Sequence, residues 1–276
     1  MIVAFLGPSL PASEASGVRV LPPARQGDVW RALRLRPRAI ALIDGVFEQQ
    51  PSVWHHEILD AIDAGVAVFG GASMGALRAA ELWQHGMIGV GQIFRWYRDG
   101  VLIDDADVAL LHAANEHGYR ALTVPQVNVR WAALRTLPAR AARAAIDASA
   151  RIFYQERTWP RALALVPELR RFDLKAHDAR EVLRAARAFR GPFRAPSQRV
   201  PPPSALVRRV RAQILGAEQP KAFIEAWARE WGLPASEPLL LEHAARLLND
   251  DPFVEGTRPS PASRTARGTG ARRARR

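Results

Sequence analysis

The strongest chemical signal in the sequence is a serine between two glycines: residues 71–75 read GASMG, which fits the pattern G-x-S-x-G. In that pattern the glycines allow a sharp turn that presents a serine hydroxyl at the end of a strand, where it can act as a nucleophile. The apolar run 66–69 and the helical spacing of 76–82 predict the required strand and helix. The alternative is a glycine-rich turn whose serine, Ser73, caps the helix.

Backbone groups near Ser73 are candidates for an oxyanion site. Met74 and Gly75 begin the predicted helix, and N–H groups in a first helical turn have no partner within the helix. A further donor is expected from the turn that starts at Gly7, after the first predicted strand. These donors would stabilise negative charge that develops on a carbonyl oxygen during attack by the serine.

A serine nucleophile also needs a base within hydrogen-bonding reach, and two histidines are candidates. His55 and His56 begin the predicted helix before the serine strand. His55 falls on the apolar side of that helix, so we expect it at a buried interface. His56 falls on the polar side and is the first candidate for the base, with an ordinary surface histidine as the alternative. Asp44, after the strand 39–43, would either orient a histidine or cap a turn.

The elements around these residues predict an α/β fold with a mostly parallel sheet covered by helices. Apolar runs without polar alternation at 2–6, 39–43 and 66–69 are typical of strands buried on both faces, and helical patterns separate them. A weaker strand is predicted at 18–21. The carboxyl ends of parallel strands share one edge of a sheet, so Gly7, Asp44 and Ser73 are expected to lie together there.

The remainder of the chain is predicted to be helical and then disordered. We expect an α/β core at 1–137, a helical region at 138–250 and an Arg-rich disordered tail at 251–276. Within the helical region the spacing predicts helices that include 139–155 and 178–189. A proline-rich linker follows at 191–203.

Composition excludes several classes of function. The chain has no cysteine, which rules out disulfides and thiolate chemistry, and its histidines lack metal-ligand spacing, so neither a metal nor another cofactor is expected. The net charge is +12, but seven arginines lie in 258–276 and the other residues carry +5, so nucleic-acid binding is not expected. No apolar run is long enough to span a membrane and no export signal is evident, so a cytoplasmic protein is expected.

Several segments of the sequence resemble the TfuA-like family. The resemblance spans about residues 2–137, and its most specific part is the block GASMGALRAAEL at 71–82. The other segments that carry it are FLGPSL at 5–10, IDGVFE at 43–48, VWH at 53–55, EIL at 57–59, GM at 86–87, WYRDG at 96–100 and VNVR at 127–130.

The resemblance implies an accessory protein for YcaO-type enzymes, which thioamidate peptide backbones. It implies hydrolysis of a thiocarboxylated ThiS-like sulfur carrier to release sulfide, and tighter binding of the peptide substrate by YcaO. It also implies a Ser–Lys pair, of which the serine corresponds to Ser73. The lysine of the family pattern corresponds to position 56, which is His56 here, and the chain has lysine only at Lys175 and Lys221.

Three functions follow as hypotheses. The first is hydrolysis of the carrier, with Ser73 as nucleophile and His56, or else His55, as base. The second is a non-catalytic scaffold that docks a YcaO enzyme to its peptide. The third, the least favoured, is an RNA- or ribosome-associated protein that binds through the Arg-rich tail at 258–276.

Overall fold

The structure is a computed structural model that describes residues 1–47, 50–193 and 204–215. Five parallel strands form one sheet in the order β2-β1-β3-β4-β5. The strands are β1 (Ile2–Phe5), β2 (Arg19–Leu21), β3 (Ala39–Leu42), β4 (Ala67–Gly70) and β5 (Ile88–Gly89). The α/β fold with a parallel sheet is therefore confirmed, and the weak strand at 18–21 is β2.

Nine α-helices occur in the described part of the chain. They are α1 (Asp28–Leu33), α2 (His55–Asp63), α3 (Met74–Leu82), α4 (Gly91–Arg98), α5 (Gln126–Thr136), α6 (Ala139–Ala150), α7 (Trp159–Leu165), α8 (Leu174–Ala188) and α9 (Ala205–Ile214). None of the helices among these residues is long and apolar enough to cross a membrane.

The apolar strands are buried on both faces, as the continuous apolar runs predict. Alternate residues such as Val3 and Ile40 face a core that they share with α1, α2, α3 and α4. The intervening residues, such as Ala4 and Ala41, face α8. A separate cluster joins α5, α6 and α7, and α9 packs against α1 at Trp30.

The helix predicted at 178–189 begins earlier than expected, at Leu174. The Oδ1 atom of Asp173 accepts a 3.0 Å hydrogen bond from the backbone N–H of Ala176 and caps the helix. This earlier start adds one turn, which includes Lys175, to the helix that covers the sheet.

Some predicted features lie outside the described residues. They are the tail at 251–276, most of the predicted linker at 191–203 and the part of the helical region beyond 215.

The helix predicted at 139–155 is shorter than expected. It ends at Ala150, and a 3₁₀ turn follows at Tyr154–Glu156.

Candidate active site at the carboxyl edge of the sheet

The strand register brings the predicted site residues to one edge of the sheet. Phe5 pairs with Leu42, and Leu42 pairs with Gly70. Gly7 and Asp44 each lie two residues beyond this row, and Ser73 lies three residues beyond it. The expected juxtaposition of the three residues at the carboxyl edge is therefore confirmed.

The turn that carries Ser73 has an unusual backbone. Ala72 has φ +67°, which is rare for a residue with a side chain, and Ser73 has φ −135° and ψ −125°, outside the commonly populated regions. Ser73 precedes α3, but its side chain does not cap the helix and makes no hydrogen bond among the described residues. The capping alternative is therefore wrong. Sparsely populated backbone conformations of this kind are concentrated at functional sites.

The turn packs tightly against the end of β3. The Gly75 N–H donates a 3.2 Å hydrogen bond to the Ile43 carbonyl. A Cβ atom on Gly75 would lie 1.8 Å from the Leu42 carbonyl oxygen, so glycine is required at this contact. The neighbouring strand thus fixes the position of Ser73, which is 2% exposed.

The three predicted oxyanion donors differ in availability. The Met74 N–H has no backbone or side-chain acceptor among the described residues, as an oxyanion donor requires. The Gly75 N–H is used by Ile43, and the Gly7 N–H donates a 2.8 Å hydrogen bond to Oδ2 of Asp44. The expectation that Gly75 and Gly7 supply free donors is therefore corrected, because both groups already have acceptors.

Asp44 connects the ends of two strands. Its Oδ2 accepts hydrogen bonds from the N–H groups of Gly7 and Ser9, at 2.8 and 3.0 Å, and its Oδ1 accepts a 2.6 Å bond from the Ser9 hydroxyl. Asp44 is 1% exposed. Of the two predicted roles, turn capping is the one seen here, because in the described structure no histidine contacts this carboxylate.

The two histidines lie at the start of α2, next to the end of α3. The ring of His55 is 46% exposed, and its Nε2 lies 2.8 Å from Oε2 of Glu81. The prediction that His55 packs in an apolar interface is therefore wrong. Glu81 follows Ser73 by eight residues, or about 12 Å of helix at 1.5 Å per residue. His56 is half-buried and makes no hydrogen bond to Ser73 or to any other described residue.

A titratable residue that the sequence analysis did not assign to the site is Lys175. It is 3% exposed, and its Nζ donates a 2.9 Å hydrogen bond to the Val108 carbonyl. Burial lowers the pKa of Lys175, while the charges of Asp44 and Asp173 act in the opposite direction. The electrostatic effect of Asp44 places the lysine near the site. The chain has only two lysines, and this scarcity was the one feature of the sequence that could have drawn attention to Lys175.

Asn128 on α5 holds the first turn of α8 in place. Its Oδ1 accepts hydrogen bonds from the N–H groups of Leu174 and Lys175, at 3.0 and 3.2 Å. Its Nδ2 donates a 3.1 Å bond to Oδ1 of the capping residue Asp173. The backbone of Lys175 is therefore anchored from two directions.

One cluster among the described residues has ligand types suited to a metal ion: His177, Asp178 and Glu181 on α8, whose ligand atoms lie within 4.8 Å of one another. Asp178 is already engaged, since its Oδ2 accepts a 2.7 Å hydrogen bond from the Ile93 N–H and its Oδ1 lies 3.1 Å from the His177 ring. The cluster is thus explained by the attachment of α8 to the start of α4.

Fold and site together define an α/β protein with a buried serine at the carboxyl edge of a parallel sheet. Residues 44–158 match the family model described as TfuA, TfuA-like protein. The match confirms the resemblance seen in the sequence and supports a TfuA-like protein. It begins at Asp44, includes Ser73, and ends before α8. No curated protein matches the chain.

Proposed function

We propose that this protein is an accessory protein for YcaO-dependent peptide thioamidation that hydrolyses a thiocarboxylated sulfur carrier. The TfuA-like match supports the accessory role in thioamidation. The observation that carries the hydrolytic step is Ser73, held in an unusual backbone conformation with a hydroxyl that has no acceptor among the described residues. The N–H of Met74 follows it directly and is available to an oxyanion.

The reaction is an acyl transfer in two steps. The Ser73 hydroxyl loses its proton to a base as Oγ attacks the thiocarboxylate carbon, and the Met74 N–H stabilises the oxyanion. The C–S bond then breaks, its electron pair leaves with sulfur, and the base returns the proton so that sulfide departs. A water molecule cleaves the resulting ester by the same proton transfers. The products are a carrier carboxylate, sulfide and free Ser73.

The base proposed from the sequence is His56, with His55 as the alternative. His56 lies in the first turn of α2, a helix that begins near the sheet's carboxyl edge. A His56→Ala variant that hydrolyses the carrier at the parental rate would remove histidine from the mechanism.

The proposed partners are the ThiS-like carrier, the YcaO-type enzyme and, through that enzyme, the peptide.

The test is sulfide release from a thiocarboxylated ThiS-like carrier. The parent protein is expected to release sulfide, and Ser73→Ala is expected to lower the rate by about 1,000-fold or more, as loss of a nucleophile does. Ser16→Ala is the matched control, because Ser16 is exposed and its hydroxyl makes no hydrogen bond among the described residues. Equal rates for the parent and Ser73→Ala would contradict hydrolysis by this serine.

A second function, a non-catalytic scaffold for YcaO, is favoured by two observations. Ser73 is 2% exposed, so a bulky carrier tail reaches it only after covering residues move. Ile103 is 91% exposed on the segment after α4, as an anchor for a partner protein would be. Under this function Ser73→Ala would leave reconstituted thioamidation unchanged, and Ile103→Asp would weaken binding to the YcaO enzyme.

A further inference from the structure

A groove between α5 and α6 has the size and the composition of a small-molecule site. Its volume is about 430 Å³. Small-molecule sites in proteins usually have volumes of roughly 300–1,000 Å³, with apolar walls and a few polar groups. The groove is lined by two arginines, one aspartate and three apolar residues: Arg130, Arg143, Asp147, Leu134, Ala139 and Ile146. None of these residues belongs to the serine turn or to the edge of the sheet, so the groove is distinct from the serine site.

Helical spacing explains why these side chains share one groove. Arg130 and Leu134 lie one turn apart on α5, and three of the lining residues follow one another by one turn on α6. Only Leu137 and Pro138 separate the two helices, which therefore form a tight hairpin. Each helix contributes one stripe of side chains, and the walls of the groove are rigid elements.

The guanidinium of Arg130 has no partner for its charge. Its Nε atom is shielded from solvent and makes no hydrogen bond, and the side chain forms no ion pair with a described residue. The charge of Arg130 acts to lower the pKa of Asp107, although burial raises that pKa, but the two side chains are not in contact. A charged donor without an acceptor is unfavourable in a buried position. An anion bound from the groove would compensate the charge.

The two helices carry an excess of positive charge. They contain one carboxylate, that of Asp147, and four arginines: Arg130, Arg135, Arg140 and Arg143. Arg143 likewise forms no ion pair among the described residues. The groove also reaches Ala139, the first residue of α6, where the helix dipole adds to the positive potential. These charges favour a negatively charged ligand.

Asp147 restricts the kind of anion that fits. It lies one turn after Arg143 on the same wall, and it forms no ion pair among the described residues. Its negative charge repels a dianion more strongly than a monoanion. The apolar side chains of Leu134 and Ile146 line the same groove and favour a ligand with a hydrocarbon part.

We propose that the groove between α5 and α6 binds an organic monocarboxylate. The guanidinium groups of Arg130 and Arg143 donate charge-assisted hydrogen bonds to the carboxylate oxygen atoms. The hydrocarbon part of the ligand packs against Leu134 and Ile146. Binding at this site does not depend on the chemistry of Ser73.

The test is calorimetric titration of the full chain with hexanoate at pH 7.5. The parent should bind with a dissociation constant of about 1 mM or tighter. Arg130→Gln and Arg143→Gln should each weaken binding by at least about 10-fold, as loss of a charge-assisted hydrogen bond does. Arg140→Gln is the matched control, because Arg140 is exposed on α6 and does not line the groove, and it should bind like the parent.

Two further ligands with the same chain test the charge selection. Hexan-1-ol, which has no charge, and hexyl phosphate, which is largely a dianion at this pH, should both bind more weakly than hexanoate. Asp147→Asn removes the repulsion, so it should tighten binding of both anions, with the larger gain for hexyl phosphate. Hexan-1-ol that binds as tightly as hexanoate would show an apolar groove without an anion site and would overturn the proposal.

Ligand-free stability distinguishes a binding arginine from a structural one. Arg130→Gln removes a charge that has no partner, so its thermal unfolding midpoint should equal or exceed that of the parent. If this variant fails to fold, Arg143→Gln and Leu134→Asp decide the question. Leu134 is 54% exposed, so Leu134→Asp should fold, and its added negative charge should abolish hexanoate binding.

Two results would contradict the site directly. One is a parent protein that shows no binding of hexanoate up to about 20 mM, well above the expected dissociation constant. The other is an unchanged affinity for hexanoate in folded Arg130→Gln or Leu134→Asp.

Discussion

The hydroxyl of Ser9 donates a 2.6 Å hydrogen bond to Oδ1 of Asp44 and so joins the chain after β1 to the chain after β3. The backbone N–H groups of Gly7 and Ser9 reinforce this connection from the other carboxylate oxygen. Asp44 thus has two effects. It fixes the edge of the sheet, and its charge acts on Lys175.

These effects can be separated with Asp44→Asn. The asparagine carbonyl can accept both N–H bonds while its NH₂ donates to the Ser9 hydroxyl, so the free energy of unfolding should change by less than about 1.5 kcal/mol. Loss of the negative charge should lower the pKa of Lys175, because Asp44 raises it. The pKa of Lys175, followed by NMR at its side-chain carbon, should therefore be lower in Asp44→Asn than in the parent.

The matched comparison is Asp44→Ala, which leaves the same donors without an acceptor. It should lower the free energy of unfolding by about 3 kcal/mol or more. Urea unfolding gives the stabilities, and NMR titration gives the pKa of Lys175. A stable Asp44→Asn protein in which the pKa of Lys175 is unchanged would contradict the electrostatic link between Asp44 and Lys175.

Gly75→Ala should disrupt the serine turn. The added methyl group would lie 1.8 Å from the Leu42 carbonyl oxygen, so the turn must separate from β3. We expect the free energy of unfolding to fall by at least about 3 kcal/mol, and we expect Ser73 to lose its labelling by a serine-reactive fluorophosphonate probe. Gly191→Ala is the control, since nothing lies within 4 Å of a Cβ there, and it should match the parent. Parental stability of Gly75→Ala would show that the close packing against β3 is wrong.

Asn128→Asp should make the attachment of α8 sensitive to pH. The substitution replaces the NH₂ group that donates to Asp173 at 3.1 Å by an acceptor, so two carboxylates would face each other. Ionisation of both is unfavourable, and the free energy of unfolding should fall as pH rises from about 4 to about 7. The measurement is the thermal unfolding midpoint of the variant and of the parent across this pH range, and the midpoint of the variant should fall relative to that of the parent as pH rises. A constant difference between the two proteins across this range would contradict the prediction.

Glu57 should contribute a pH dependence of its own. It is fully buried, and burial raises its pKa from 4.5 to about 8, although the N–H groups of Gly27, Trp54 and Val29 oppose the shift. The folded state therefore holds the proton more tightly than the unfolded state. This contribution to stability is complete below pH 4.5 and is lost as pH rises to about 8.

The measurement is urea unfolding of the parent and Glu57→Gln between pH 4 and 9. The variant cannot titrate here, so its stability should vary less with pH than that of the parent. Asp63→Asn, at an exposed carboxylate in the same helix, is the control and should keep the parental slope. Identical slopes for the parent and Glu57→Gln would count against a raised pKa.

The sequence predicted the central strands and the serine turn because both depend on local patterns. Continuous apolar runs produced β1, β3 and β4, and the register of parallel strands then placed Gly7, Asp44 and Ser73 at one edge. The prediction for His55 failed because a helical wheel assumes that the apolar side faces the core throughout. At the first turn of α2, the neighbouring helix presents Glu81 instead.

Lys175 could not be placed from local patterns. The predicted helix began at Asp178, since Asp173 was not recognised as its cap, and this left Lys175 in a connecting segment. Its proximity to Asp44 depends on α8 returning over the sheet from a distant part of the chain. The use of the Gly7 N–H by Asp44 is likewise a contact between distant segments that no local motif encodes.

The central claim, that Ser73 forms a covalent bond to the carrier, is tested most directly by acid quenching during turnover. The thiocarboxylated carrier and the protein are mixed, quenched within the first turnover and mapped by peptide mass spectrometry. If Ser73 is the nucleophile, an ester forms on the peptide that contains it, sulfide is released in equal amount, and Ser73→Ala gives neither product. Sulfide released by Ser73→Ala at the parental rate would contradict it.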